Sequence, residues 1–379
     1  MPIEMSCAAR PWVISDTMRF DSAGCAFERC DIEIAGGRIA AIVPAGSSAL
    51  ADGIDGASLI CTPGVVDIAP PDGRIHPSWA AVAEPPACVT TMARHCTGDA
   101  PLDAGAAAAA MRRVALLRVD DRRPEQADAW PGWMPAAPAT SAAPAGAAAP
   151  DVPSLVTALP VIASGDLASA AEIVAWAHRA KCAGTRIGIQ FSAHSDVAHE
   201  FRARFCCSEA ALIAYLMADD KRVTVFGAAP LDGRDIAALA RTRSHAVIDA
   251  CRDGAHARGW SAYAPLLEKG RAALRFRGGA ALHRLMRETE RASAALLDRC
   301  ALALTRSAAA ALGLDDVGAI APGMKADLCL FERQAGDDLR GGGATLLSLL
   351  ATRAPRAVLV DGRSRVCAKA ALAATGAAH

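Results

Sequence analysis

Thr305 to Glu332 reads TRSAAAALGLDDVGAIAPGMKADLCLFE, and three successive signals in it decide the fold. An Ala-rich stretch of helical character, the end of a segment running from Ala292 to Leu312, comes first. A turn containing Pro322-Gly323 follows. The chain then enters a short apolar run, Ala326 to Phe331, which reads as a strand. A second run, Ala357 to Val360, ends in the turn pair Asp361-Gly362, so the C-terminal part is built from short strands.

The opposite end of the chain has the same character. Short apolar runs at Trp12 to Ser15, Cys30 to Ile34 and Arg38 to Val43 are separated by turn formers such as Gly36-Gly37, which predicts a small hairpin sheet. From Cys61 to about Ala310 the pattern changes. Short apolar strands such as Val223 to Phe226 and Ala246 to Cys251 alternate with long Ala-rich helical stretches, the pattern of βα units around a parallel sheet. Strand runs at both ends imply that the termini meet in one small β domain around an inserted α/β body. The expected division is 1–62 and 313–379 for the two parts of the small domain, and 63–312 for the body. Within the body, Trp130 to Pro153 (WPGWMPAAPATSAAPAGAAAPDVP) shows neither period and reads as a flexible loop. It lacks the clear PxxP periodicity of a proline-rich docking motif.

Composition narrows the function classes. The 379 residues are 53% hydrophobic, enough for a sizeable core. Lys plus Arg equals Asp plus Glu at 40 each, so no overall field recruits nucleic acid or an acidic membrane surface. The 13 cysteines are odd in number and none form C-x-x-C, so they read as reduced residues, mostly of the core, with the adjacent Cys206 and Cys207 either buried small hydrophobes or a reactive pair. The N-terminus (MPIEMSCAARPW) has no basic start followed by an apolar run, and no stretch has the length of a membrane span, which gives a cytoplasmic expectation.

Three ordered stretches carry a family resemblance. Asp31 to Pro70 contains DIEIAGGRIAAIVPAG and IDGASLICTPGVVDIAP; Ala228 to His256 reads AAPLDGRDIAALARTRSHAVIDACRDGAH; and the Thr305 to Glu332 stretch is followed by AVLVDGR. A weaker fourth, VTTMARHCTGDAPLDAG, spans Val89 to Gly105. Together they resemble the amidohydrolase superfamily, and dihydroorotase in particular, over somewhat more than a third of the chain. The most specific is the exit motif G-x-I-x-P-G-x-x-A-D-L. The resemblance implies an α/β fold: a distorted (β/α)8 TIM-type barrel with a small composite β-sandwich domain built from both termini.

It also implies a metal site. Family members hydrolyse or close a cyclic amide with divalent metals that lower the pKa of a bound water. Their first two ligands are histidines spaced H-x-H, because alternate strand residues point the same way. Here the matching positions read Asp67-Ile68-Ala69-Pro70-Pro71 and hold no histidine. His76 follows nearby, as a loop residue at uncontrolled spacing. The family's strand-end aspartate matches Asp253, where Gly254 replaces the partner histidine and Arg252 adds a cation that would oppose a metal. His194, with His199 in FSAHSDVAHE, is the remaining ligand candidate, just past the expected strand Ile187 to Phe191; with Ser192, Asp196 and Glu200 nearby it equally suits a hydrogen-bonded loop. The bridging lysine of the family finds no strand-end match, since Lys181 falls late in a helix and Lys221 in a charged turn. There is no G-x-S-x-G or G-x-x-x-x-G-K-[ST] motif, and Gly341-Gly342-Gly343 reads as a flexible turn.

The resemblance therefore points to a dihydroorotase-like protein of pyrimidine biosynthesis without hydrolase activity. No cofactor is expected, and the implied partner is aspartate carbamoyltransferase, held in an active assembly. The opposing expectation is a zinc-dependent hydrolase with a reduced site of His194, Asp253 and a further histidine such as His245. That histidine precedes its strand and should face the wrong end of the barrel. A third expectation is a duplicated gene drifting without a role.

Overall fold

Eight parallel strands run β6 (Val65–Ile68), β7 (Val89–Cys96), β8 (Arg112–Arg118), β9 (Val156–Ala163), β10 (Ile187–Gln190), β11 (Val223–Phe226), β12 (His245–Ile248) and β13 (Ala272–Leu274). Each pairs with its sequence neighbour, so the sheet order follows the chain order without a crossover. A computed structural model describes residues 10–69, 86–96, 111–118, 156–163, 170–182, 185–192, 195–217, 220, 222–227, 231–249, 260–276, 278–289 and 293–365. The segment 130–153 lies outside them. The described helices between strands are α1 (Ala170–Cys182), α2 (Ser195–Phe205), α3 (Glu209–Leu216), α4 (Gly233–Ala240) and α5 (Ala264–Glu268), followed after β13 by α6 (Gly279–Thr289), α7 (Ala294–Ala303) and α8 (Arg306–Ala311). This is the expected (β/α)8-type barrel.

Strand alternation divides the apolar residues into two layers. Val66, Ile68, Val114, Leu116, Leu159, Val161, Phe226, Val247 and Ala273 form an inner core. Their alternates, among them Ile187, Ile189, Val223, Val225, Ala246 and Ile248, pack with helix residues such as Ile173, Leu212 and Leu239 in an outer one. The inner core is completed by Ala308, Ala309, Ala311 and Leu312, and Thr224 donates its hydroxyl to Ala311 O at 2.6 Å.

The ladder stops between β13 and β6, and side-chain and helix-end contacts close the gap. Asp67 near the end of β6 accepts from Phe276 N just beyond β13, at 3.0 Å. Val66 N donates to Leu304 O at 2.9 Å. Leu304 can accept because the segment expected as one helix from Ala292 to Leu312 is broken into α7 and α8 around Leu304 and Thr305. An unbroken helix would have spent that carbonyl internally.

The second sheet takes strands from both sides of the barrel: β1 (Trp12–Asp21), β2 (Ala26–Ala35), β3 (Arg38–Pro44), β4 (Gly53–Asp55) and β5 (Leu59–Pro63), then β14 (Leu328–Glu332), β15 (Ala357–Val360) and β16 (Arg363–Arg365). Its order is β16-β15-β14-β5-β1-β2-β3, with β4 beside β1. β1 is bulged between Ile14 and Thr17, and Asp16 there has φ +57°. The Asp31 carboxylate holds the bulge by accepting from Asp16 N at 2.7 Å and from Gly46 N and Ser48 N. The bend lets the strands wrap a core of Trp12, Ile14, Ile32, Ile34, Leu328 and Leu330.

The exit motif fastens this sheet to the N-terminal end of the barrel. Asp327, the aspartate of A-D-L, accepts from Asp361 N at 2.8 Å and is paired with Arg112 at the start of β8 at 3.1 Å. Arg112 also reaches Asp361 at 2.9 Å. Burial opposes the Arg112 charge, but Asp327 and Asp361 outweigh it and push the guanidinium above its ordinary range.

Two local expectations change. Gly341-Gly342-Gly343 is not a free turn: Gly342, at φ +52°, opens α9 (Gly343–Thr352), and a Cβ on it would meet Cys25 O at 2.2 Å. Gly343 N is capped by Asp298 at 2.8 Å. Among the described cysteines Cys30, Cys61, Cys88, Cys300 and Cys329 are buried, whereas Cys206 is exposed, so the buried reading of that residue fails. It sits at φ +56° just after α2, on the linker to α3.

Candidate functional site

In barrels of this kind chemistry assembles at the C-terminal ends of the strands, and β12 and β13 place the main charged feature there. Val247 and Ala273 belong to the inner core. Two residues further along each strand, alternation returns to the same face at Asp249 and Arg275. Arg275 Nη1 lies 3.2 Å from Asp249 Oδ2, and the side chains are 15% and 1% exposed. Arg275 N donates to Ile248 O at 2.9 Å, which sets the height of one side chain against the other.

Asp67 forms a second pair. Arg94 on β7 reaches its Oδ2 at 2.6 Å, with the carboxylate side chain 3% exposed, while Oδ1 takes the Phe276 N–H. Both oxygens are thus committed, one to a cation and one to the closure of the barrel. Asp67 shares its strand face with Val65 of the outer layer, so it acts in the wall and not in the lumen.

The chemistry of these donors does not suit a divalent cation. A metal at either carboxylate would have to displace a guanidinium or lie beside it, and a neighbouring positive charge opposes a second one. Ala69 stands where the first histidine of H-x-H is expected, and it is 7% exposed with its N–H given to Ala93 O at 3.0 Å. Among the described residues no group of three or more His, Cys, Asp or Glu is arranged to hold a metal. Each of the two carboxylates meets a guanidinium instead.

Asp253, Arg252, Gly254, His194 and His76 lie outside the described residues. His199 is exposed on α2. His245 is the first residue of β12 and 4% exposed. Burial, and after it Arg186 and Arg271, depress its imidazole to about 3, so it is neutral. It lies at the N-terminal end, four strand residues or roughly 13 Å from Asp249 at 3.3 Å per residue, and cannot share a site with the strand ends. Lys181 lies in the last turn of α1.

Sequence reading missed Asp249 and Arg275. The expected strand Ala246 to Cys251 directed attention to Asp253, but the strand stops at Ile248. The available signal was parity, since Asp249 is the next residue after Val247 on the same face and is polar. A carboxylate beside an arginine, anticipated within one loop as Asp253 and Arg252, occurs across two neighbouring strands.

No protein family model matches the chain, and no curated protein matches it. Solved structures do. A triazine hydrolase variant superposes with a TM-score of 0.68 at 16% identity, covering 94% of both chains. An adenosine deaminase from Xanthomonas campestris with bound zinc gives 0.64 at 15% identity over 93% of this chain and 92% of that one. The aminofutalosine deaminase of Helicobacter pylori gives 0.61 at 10% identity, over 94% and 100%. These proteins are members of the amidohydrolase superfamily. At such identities the likeness is one of fold.

Proposed function

We propose that this chain is an amidohydrolase-fold protein that does not hydrolyse cyclic amides and acts through its assembled frame. The observation that carries the reading is the Arg275 to Asp249 pair, 3.2 Å apart on the inner face of the strand ends. A hydrolase of this fold needs that region open to a metal and its water; here a guanidinium neutralises the carboxylate. The Asp67 to Arg94 pair supports it, with a carboxylate saturated by the barrel wall. The frame itself is well specified, since the exit-motif aspartate is held by a buried Arg112. A frame kept without the H-x-H pair after Asp67 points to a role in binding. The partner that the dihydroorotase resemblance suggests is aspartate carbamoyltransferase, which the chain would hold in an active assembly.

Metal analysis of the protein purified from zinc-supplemented medium tests the first part. The expected result is zinc well below one per chain and no turnover of dihydroorotate. Zinc near one per chain, with turnover abolished in Asp249→Ala or Asp253→Ala, would overturn it. For the partner, size-exclusion chromatography of the two proteins together should give one complex with transcarbamoylase activity above that of the enzyme alone; separate elution with unchanged activity removes that part.

A further inference from the structure

A second chemical feature lies outside the barrel, on the flank formed by α1 and α3 and the turns that enter β11 and β12. These elements bound a cleft of about 610 Å³, within the roughly 300–1,000 Å³ of small-ligand sites. Lys181, Arg222 and Arg243 line it together with His178, and among the described lining residues Asp220 is the only carboxylate. Arg222 immediately precedes β11, and its buried Nη1 has no hydrogen-bond acceptor among the described residues. A guanidinium donor removed from water without an acceptor is an unfavourable state that an anion would relieve.

The positive field extends behind the cleft. Arg186 and Arg271 immediately precede β10 and β13. Burial holds the Arg186 guanidinium below the ordinary arginine range; Asp315 and Asp220 act against this, while Arg271 and Arg222 add to it. Among the described residues, three of the four strands β10 to β13 begin immediately after an arginine, which brings cations to this end.

The same cleft carries exposed apolar surface. Tyr215 is 84% and Val174 47% exposed, the two large hydrophobics left in solvent among the described residues, and both are lining residues. An aromatic face beside guanidinium and ammonium groups suits a planar ring that bears phosphates: the ring stacks, and the oxygens take charge-assisted hydrogen bonds.

We propose that this cleft binds a nucleoside phosphate, with Lys181, Arg222 and Arg243 holding the phosphates and Tyr215 the ring. The proposal is independent of the reading made for the strand ends. A cluster of solvated cations would bind anions without regard to the ring, and a docking face for an acidic protein segment would prefer a polycarboxylate.

Isothermal titration of the full chain separates these cases, with ATP, inorganic pyrophosphate and poly-glutamate as probes. The expected order is ATP tighter than pyrophosphate, both weakening as salt is raised. Lys181 and Arg243 are exposed, so the double variant K181Q/R243Q should retain its far-ultraviolet circular dichroism and bind both phosphate probes about tenfold more weakly or worse. Tyr215→Ala should reduce ATP to the level of pyrophosphate and leave pyrophosphate unchanged. Absence of binding by ATP, equal affinity for the two phosphate probes, an unaltered K181Q/R243Q variant, or binding of poly-glutamate alone would each overturn the proposal.

Discussion

The two ends of the barrel handle arginine differently. At the C-terminal end, among the described residues, arginines meet carboxylates across neighbouring strands, Arg94 with Asp67 and Arg275 with Asp249. At the N-terminal end the groups are shared or crowded. Arg112 meets both Asp327 and Asp361, and Lys325 also reaches Asp361, whereas Arg186 feels Arg271 and Arg222 as well as Asp315 and Asp220, and burial, with Arg186 and Arg271, keeps His245 neutral. A carboxylate held by a guanidinium is a poorer place for a second cation. A network of Arg112 and Lys325 with Asp327 and Asp361 clamps two parts of the fold, and crowded guanidinium groups favour an anion.

The largest effect is expected at the clamp. Arg112→Met strands Asp327, which is 2% exposed, without its cation. Loss of one partner of a buried pair costs about 3–5 kcal/mol, so the urea midpoint should fall steeply. A change near zero would mean that the exit motif does not depend on this pair. Arg275→Ala is the matching experiment at the other end, with an expected loss of about 3 kcal/mol. A loss below about 1 kcal/mol would show that packing, not charge, holds the strand ends.

The smallest effect sharpens the comparison from the crowded side. The His245 imidazole is depressed in the folded state to about 3, below its unfolded value near 6.5. The unfolded chain therefore binds more protons in that window. Stability is full above the unfolded value and declines as pH falls through it toward the folded one. The decline attributable to this residue is about 2 kcal/mol between pH 7 and pH 5. His245→Leu should abolish that part of the acid sensitivity in urea unfolding followed over the same range; identical slopes for the two proteins would remove His245 from the account.

Much of the fold was legible before any coordinates. Pro63 to Asp67 and Thr305 to Glu332 mark the entry to and exit from the barrel, and their apolar runs became β5, β6 and β14. The reading went astray where local pattern and long-range contact compete. Ala292 to Leu312 has the composition of one helix, yet the contact of Leu304 O with Val66 N breaks it. Gly341 to Gly343 has the composition of a loop, yet Cys25 O and Asp298 select a helix start there. The site was legible only as a loss. The positions after Asp67 lack histidine, but nothing in one dimension reveals which arginine would meet which carboxylate.

Sequence alone determined that short strands at both ends flank βα units around a parallel sheet, because alternation of apolar residues and turn chemistry are local properties repeated along the chain. It also determined that no H-x-H pair follows Asp67. The barrel was implied by the resemblance of its entry and exit motifs. Tertiary structure decided the partners. Arg94 lies 27 residues from Asp67, Arg275 26 from Asp249 and Arg112 215 from Asp327. Ion pairs act through space over a few ångströms, so only closure of the barrel could reveal that Asp67 of the entry stretch and Asp327 of the exit stretch are held by arginines. The crowding of Arg186, Arg222 and Arg271 has the same origin. Each precedes its own strand, and the parallel sheet sets those strand starts at one end, β10 beside β11 and β13 one strand further on.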